Sequence, residues 1–127
     1  MYMTKLIRIL VVVPALILLF TGVRLIVDPA ATVEELGMPL LDPLGRSTQL
    51  GDLSAFFFTA SLCAFIGMST GKRFWFYPAA MLTGLAALFR LLAWLLHGAA
   101  LTTQFIVMEI VFCSLFVLAA RWLRKDS

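Results

Sequence analysis

Apolar residues are gathered into four long runs, which cover about residues 6–27, 51–69, 75–97 and 102–122. Each run reaches or approaches the roughly 20 residues that a helix needs to cross about 30 Å of hydrocarbon. None shows the alternation of apolar and polar residues that is typical of a membrane β-barrel. Because open strands would leave backbone groups without hydrogen bonds in lipid, the pattern predicts four membrane-spanning helices.

The composition agrees with burial in a bilayer rather than in a soluble core. Hydrophobic residues make up 62% of the 127 residues and charged residues 13%, whereas a soluble domain is typically about 45–50% apolar. The first run exceeds the roughly 7–15 residues of a signal-peptide core, so we expect it to remain as a span. The chain is therefore predicted to form one all-α domain over residues 1–127, an integral membrane four-helix bundle.

The connections between the runs differ in charge. Basic residues lie before the first run, between the second and third, and after the fourth: Lys5, Arg8, Lys72, Arg73, Arg121, Arg124 and Lys125. The first and third connections hold only Arg46. The positive-inside rule then predicts a multi-pass protein with both termini cytoplasmic and the first loop outside, which is the periplasm for a bacterial inner membrane.

The first loop, residues 28–52, is long and carries structural signals of its own. Its segment "ATVEELG" predicts a short helix with Thr32 as N-cap, Glu35 as the capping-box partner and Gly37 as the end. A loop of this kind is expected to form an ordered cap over the bundle rather than a loose tether.

Two opposite charges inside the apolar runs are predicted to lie at the same depth. Arg90 is seven residues before His97, at the outer end of the third span, and Glu109 is seven residues after Thr102, where the fourth span begins. At 1.5 Å per residue both lie about 10 Å below the outer boundary. An isolated charge in mid-membrane costs roughly 2.5–3.5 kcal/mol. We therefore expect Arg90 to pair with Glu109 inside the bundle.

Further polar residues fall in the same outer half of the spans, at Arg24, Asp52, His97 and Gln104. The inner half of each span is nearly free of ionisable residues. The pattern predicts a polar pocket that is open to the outside, closed below by apolar side chains and covered by the first loop. A concave site with a few convergent polar groups is the default candidate for a binding site.

Each of these residues also has a purely structural interpretation. Arg24 can extend its head to the outer interface, as long basic side chains do. Asp52 suits the N-cap of the second span, and His97 suits a polar position at a helix end. A buried pair of Arg90 and Glu109 can fix the helix register without any chemistry.

Several functional classes have no motif in the chain. HExxH, GxSxG, GxGxxG and the P-loop are missing. Cys63 and Cys113 lie singly in apolar runs without ligand spacing, so neither a metal site nor a cofactor is predicted. No basic stripe with interleaved aromatic residues is present, so nucleic acid is not an expected partner.

A stretch of the chain resembles a known family. The segment "RLIVDPAATVEELGMPL", the later "GRSTQLGDLSAFFFTASL", an arginine in the third span and a glutamate in the fourth are similar to small four-span bacterial inner-membrane proteins described as DoxX-like. The resemblance extends over nearly the whole chain and implies a four-helix fold, without a settled activity. Members commonly carry an arginine at the entrance to the second span, where this chain has Asp52 and places Arg46 several residues earlier.

These observations favour a non-catalytic membrane protein whose pocket binds a lipid-like or quinone-like molecule, or a transmembrane helix of a larger complex as an accessory subunit. Arg90 would hold an anionic or carbonyl group, Glu109 would orient Arg90, and Arg24 and Asp52 would line the mouth. The alternative is a small membrane enzyme, a lipid isomerase or a quinone-linked redox subunit, that uses Glu109 or His97 as acid or base. Transport is disfavoured because the inner half offers no polar path.

Overall fold

The structure, a computed structural model, describes residues 2–123, and all regular secondary structure in this range is helical, without strands. Four of its helices are long and apolar enough to cross a membrane, which confirms the predicted four-helix bundle of a multi-pass membrane protein. Arg124 and Lys125, used in the topology prediction, lie outside the described residues. The elements are α1 (Tyr2–Val27), α2 (Pro29–Glu35), α3 (Pro43–Thr70), a 3-10 turn (Arg73–Trp75), α4 (Phe76–His97) and α5 (Thr103–Trp122).

The four long helices form a closed ring. Helix α1 packs against α3 and α5, and α4 packs against the same two helices from the other side. Short connections between α3 and α4, and between α4 and α5, make these neighbours antiparallel. Gly71 and Gly98 end α3 and α4 with φ of 72° and 67°, a left-handed conformation that glycine adopts without strain.

The tightly packed core lies in the half of the bundle where α1 begins and α5 ends. Ile7 and Val11 of α1, Phe76 of α4 and Phe116 of α5 are almost completely buried there. Alanines from α3, α4 and α5 lie between the large side chains, and small residues of this kind let membrane helices approach closely. The opposite half of the bundle is therefore the half that has room for a site.

Helix α3 begins eight residues before the predicted second span. Asp42 is its N-cap and accepts a hydrogen bond from the backbone N–H of Gly45 at 3.2 Å, and Pro43 occupies the first turn. The interpretation of Asp52 as the N-cap is therefore wrong, because Asp52 lies inside the helix and is exposed. Since its 28 residues span about 42 Å, the polar first turns of α3 extend beyond the apolar layer.

The short helix predicted in the first loop is present, but it starts earlier than expected. Asp28 rather than Thr32 is the N-cap of α2, and it accepts from the backbone N–H of Ala31 at 3.5 Å. The predicted end is confirmed, because Gly37 follows the helix with φ of 89°. Both corrected helices begin at an Asp-Pro pair, in which the carboxylate caps the first turn and proline supplies a helical φ.

Candidate functional site

A cavity of about 220 Å³ lies between the helices in the half of the bundle opposite the start of α1 and the end of α5. Helices α1, α3, α4 and α5 form its walls, and α2 contributes to its rim. Thr83 of α4 lies at the deep end, fully buried, with its hydroxyl donating to the carbonyl of Ala79 at 2.9 Å. Four phenylalanines contribute to the rest of the wall: Phe56, Phe57, Phe105 and Phe112. A polar pocket in one half of the bundle and apolar packing in the other half are therefore both present, as predicted.

Arg90 and Glu109 form an ion pair in the wall of this cavity. Nε of Arg90 donates to Oε1 of Glu109 at 2.9 Å, and the exposed fractions of the two side chains are 32% and 13%. The pairing predicted from their equal distances to the α4–α5 connection is confirmed. An ion pair of this kind is tolerated inside a membrane because each charge compensates the other.

The rest of the Arg90 guanidinium is only partly used by the protein. Nη1 donates to the hydroxyl of Thr102 at 3.3 Å, and the Phe105 ring lies 4.7 Å from the guanidinium carbon, in cation–π contact. Within residues 2–123, Nη2 has no hydrogen-bond partner. Arg90 is therefore held in a fixed orientation by three neighbours while keeping donors for a molecule in the cavity.

A second ion pair, between Arg24 and Glu35, lies at the rim of the cavity. Nη1 and Nη2 of Arg24 donate to the two carboxylate oxygens of Glu35 at 2.9 and 2.6 Å, a bidentate arrangement. The hydrogen bond from Arg24 lowers the pKa of Glu35 below its ordinary value, and the charge of Arg24 acts in the same direction. Arg24 lines the rim as predicted, but Glu35 does not act as a capping-box residue for α2.

Helix α2 is also fixed to α1 by buried contacts. The hydroxyl of Thr32 donates to the carbonyl of Asp28 at 2.7 Å, and the carbonyl of Arg24 lies 3.1 Å away. Thr32 and its neighbour Val33 are almost completely buried. The first loop is thus an ordered cap at the cavity rim, and it is joined to α1 by both charged and buried groups.

Three of the predicted site residues lie elsewhere. Asp52, His97 and Gln104 are exposed, and the cavity wall does not include them. The end of α4 is exposed over residues 94–101, so the helix face that His97 shares with Arg90 continues past the cavity rim. The prediction that these three residues belong to the pocket is therefore wrong, and the convergence of Asp52 and His97 with Glu109 that the enzyme alternative requires is not present.

Two kinds of cavity residue escaped the sequence interpretation. Phe105, Met108 and Phe112 lie on the same face of α5 as the predicted Glu109, since the four residues have the i, i+3, i+4, i+7 spacing, so the three could have been found from the sequence. Glu35 could not, because its position at the rim depends on how α2 folds back on α1. Among the described residues, no group of three or more His, Cys, Asp or Glu side chains is placed to hold a metal ion.

Comparison of the chain with protein-family models, with curated proteins and with solved structures finds no match. Function is therefore inferred from the chemistry of the cavity.

Proposed function

We propose that this protein is a non-catalytic binding protein of the membrane, whose cavity takes the polar head of a lipid-like or quinone-like molecule. The observation that carries the proposal is the Arg90 guanidinium, which lines a cavity with several phenylalanines in the membrane-spanning part of the chain and has no partner at Nη2 among residues 2–123. A charged donor in such surroundings forms short, strong hydrogen bonds with oxygen acceptors. The apolar part of the ligand would contact the phenylalanine side chains.

Glu109 has a positioning role in this proposal. Its carboxylate fixes Nε of Arg90, and the fixed orientation directs the remaining donors of the same planar group. Without that contact the long arginine side chain would have several conformations, and binding would have to order it at a cost of roughly 0.5–1.5 kcal/mol.

The ligand would enter from the lipid between α1 and α5. Ile17 of α1 and Met108 of α5 both line the cavity, and they are also exposed at the bundle surface, by 43% and 40%. The buried core residues Val11 of α1 and Phe116 of α5 lie in the packed half of the bundle, away from this opening. A tail that emerges between Ile17 and Met108 would remain among acyl chains, so a cavity of about 220 Å³ need hold only the head.

The cellular placement and the family are part of the same proposal. The basic residues on which the topology prediction depends, so far as they are described, are at the packed end of the bundle: Lys5, Arg8, Lys72, Arg73 and Arg121. With that end in the cytoplasm, the cavity would open to the outer leaflet of a bacterial inner membrane. A relationship to the DoxX-like proteins rests on the sequence resemblance described above.

Binding is tested by native mass spectrometry of protein released gently from its membrane, with a search for co-purifying small molecules and subunits. We expect a bound amphiphile, and its affinity should fall roughly 10- to 100-fold in Arg90→Leu, because a hydrogen bond to a charged group contributes about 1.5–3 kcal/mol. Arg121→Leu, which changes an exposed arginine at the opposite end, is the matched control.

A double variant, Arg90→Leu with Glu109→Leu, removes both charges and leaves neither unpaired. It should remain folded and should also lose the amphiphile. Retention of the amphiphile in this double variant would contradict the proposal. Co-purification of a stoichiometric membrane subunit with no small molecule would contradict it too, and would favour the accessory-subunit alternative.

A further inference from the structure

The ionised groups in the cavity wall compensate one another completely. Within residues 2–123 the wall contains two guanidiniums, of Arg24 and Arg90, and two carboxylates, of Glu35 and Glu109. Each guanidinium is paired with one carboxylate at hydrogen-bond distance. With all four groups ionised, the formal charge of the wall is therefore zero.

An anionic head would disturb this balance. It would bring a third negative charge beside Glu109, which is only 13% exposed, and among the described residues of the wall there is no further cation to compensate it. Asp28, one helical turn beyond Arg24, adds negative charge near the rim rather than positive. Uncompensated charge is costly in surroundings of low dielectric constant, so ionised ligands are disfavoured.

An uncharged head with an oxygen acceptor meets no such penalty. A carbonyl oxygen can accept from Nη2 of Arg90 while Nε and Nη1 keep their partners, Glu109 and Thr102. The net charge of the cavity does not change when such a ligand binds. The flat aromatic wall then contacts the apolar atoms that flank the acceptor.

We infer that the cavity selects amphiphiles with an uncharged, acceptor-bearing head and excludes anionic ones, and that Glu109 is the residue that sets this selectivity. The inference rests on the proposed function and narrows the ligand class. An arginine in a pocket is usually expected to recognise an anion. Here the carboxylate of Glu109 already compensates the charge of the guanidinium, so the opposite preference follows.

The test uses two probes of equal chain length, a fatty-acid methyl ester and an alkyl sulfonate that stays ionised at the measuring pH. Their affinities for the detergent-solubilised full chain are measured by native mass spectrometry. The wild type should favour the ester by about tenfold or more. Glu109→Gln keeps an oxygen acceptor for Arg90 but frees its positive charge, so the preference should shift towards the sulfonate by at least as much.

Two further variants test whether the shift in the affinity ratio depends on carboxylates of the cavity wall. Glu34→Gln makes the same chemical change on the exposed surface of α2, outside the cavity wall, and should leave the ratio of the two affinities unchanged. Glu35→Gln removes the carboxylate at the rim, and it should shift the ratio in the same direction as Glu109→Gln. It serves as the second variant if Glu109→Gln does not fold.

The outcomes separate the two proposals. A wild type that binds the sulfonate as well as the ester would overturn the selectivity while the binding function stands. An unchanged ratio in a folded Glu109→Gln would overturn it too, as would an unchanged ratio in Glu35→Gln if Glu109→Gln does not fold. Failure of the wild type to bind either probe or any other amphiphile would overturn the proposed function itself.

Discussion

At the scale of single residues, Arg90 is the residue whose position most needs a physical explanation. A guanidinium within the membrane costs several kcal/mol unless other groups compensate its charge and satisfy its donors. Glu109 compensates the charge, Thr102 accepts a second hydrogen bond, and Phe105 covers one face. These contacts stabilise the arginine without using all of its donors. That surplus distinguishes it from a purely structural ion pair, in which we would expect every donor to be satisfied.

Two glycines in α3 differ in what surrounds them, and this predicts opposite effects of alanine. A Cβ at Gly67 would lie 2.9 Å from the ring of Phe76, which is fully buried and cannot move aside, whereas a Cβ at Gly51 meets nothing within 4 Å. We expect Gly67→Ala to destabilise the fold by roughly 1–3 kcal/mol through overpacking. Gly51→Ala should stabilise it by about 0.5–1 kcal/mol through higher helix propensity.

Thermal unfolding of both variants in the same detergent measures the difference. The expected order of stability is Gly51→Ala above the wild type and Gly67→Ala below it. If Gly67→Ala unfolded together with the wild type, the close packing of α3 on α4 at Phe76 would be wrong.

The sequence allowed one of the two ion pairs to be predicted, for a geometric reason. Arg90 and Glu109 lie at equal distances from a short connection between antiparallel helices, so helical rise alone brings them to one level. Arg24 and Glu35 are separated by a break between two helices, and the direction of α2 after that break is decided by the burial of Thr32 and Val33. Simple counting along one helix cannot show this.

At the scale of elements, α2 is the helix of the ordered cap, and its attachment to α1 depends on charge. The bidentate pair of Arg24 and Glu35 joins it to α1 at the cavity rim, on the exposed side, while Thr32 and Val33 hold its buried side. Protonation of Glu35 would remove the charge from this pair but leave the buried contacts in place. Helix α2 should therefore open more often in acid while it stays attached to the bundle.

The sign of the pH effect follows from the lowered pKa of Glu35. A carboxyl group with a lower pKa in the folded state stabilises that state at pH values above its unfolded-state pKa of about 4.3. The stabilisation is lost as the pH falls through the lower, folded-state pKa. Hydrogen exchange of the α2 amides, corrected for the intrinsic pH dependence, should accelerate in this acidic range relative to the amides of α4.

Glu35→Gln provides the control for this prediction. The amide cannot ionise, so α2 in this variant should exchange faster at neutral pH and show little further change in acid. If acid accelerated the exchange of the α2 amides equally in the wild type and in Glu35→Gln, another titrating group would be responsible for the opening of α2.

The starts of α2 and α3 show why the element boundaries were predicted less well than the elements themselves. Each apolar run coincides with one of the four long helices, but the first turns of α3 are polar and lie outside the apolar run. Their signal is local, an Asp-Pro pair at residues 28–29 and again at 42–43. A hydropathy average does not detect such a pair, whereas the residue preferences of helix N-termini identify it as a helix start.

At the scale of the whole molecule, the bundle has two unlike halves. The half in which α1 begins and α5 ends is packed with alanine and large apolar side chains, and the other half contains the cavity and both ion pairs. The packed half keeps the four helices together, so the helices can separate in the other half without loss of the fold. This division explains how a chain of 127 residues can stay stable with polar groups inside its membrane-spanning part.

The same division predicts which side of the membrane the cavity faces. Single cysteines at Glu34 in α2 and at Ser69 near the end of α3, both exposed, report on opposite ends of the bundle when Cys63 and Cys113 are replaced by alanine. With the basic end in the cytoplasm, a membrane-impermeant maleimide added to intact bacteria should label Glu34→Cys and should label Ser69→Cys only after permeabilisation.

Labelling after denaturation provides the control for the reactivity of each cysteine. The reverse pattern would place the cavity in the cytoplasmic leaflet while leaving the bundle intact. Labelling of both positions from one side would contradict the four-span topology itself, because α3 lies between them and would then not cross the membrane. Since α3 contributes Phe56 and Phe57 to the cavity wall, that result would remove the cavity from the hydrocarbon layer. It would also remove the physical reason why the pair of Arg90 and Glu109 should exclude a charged ligand.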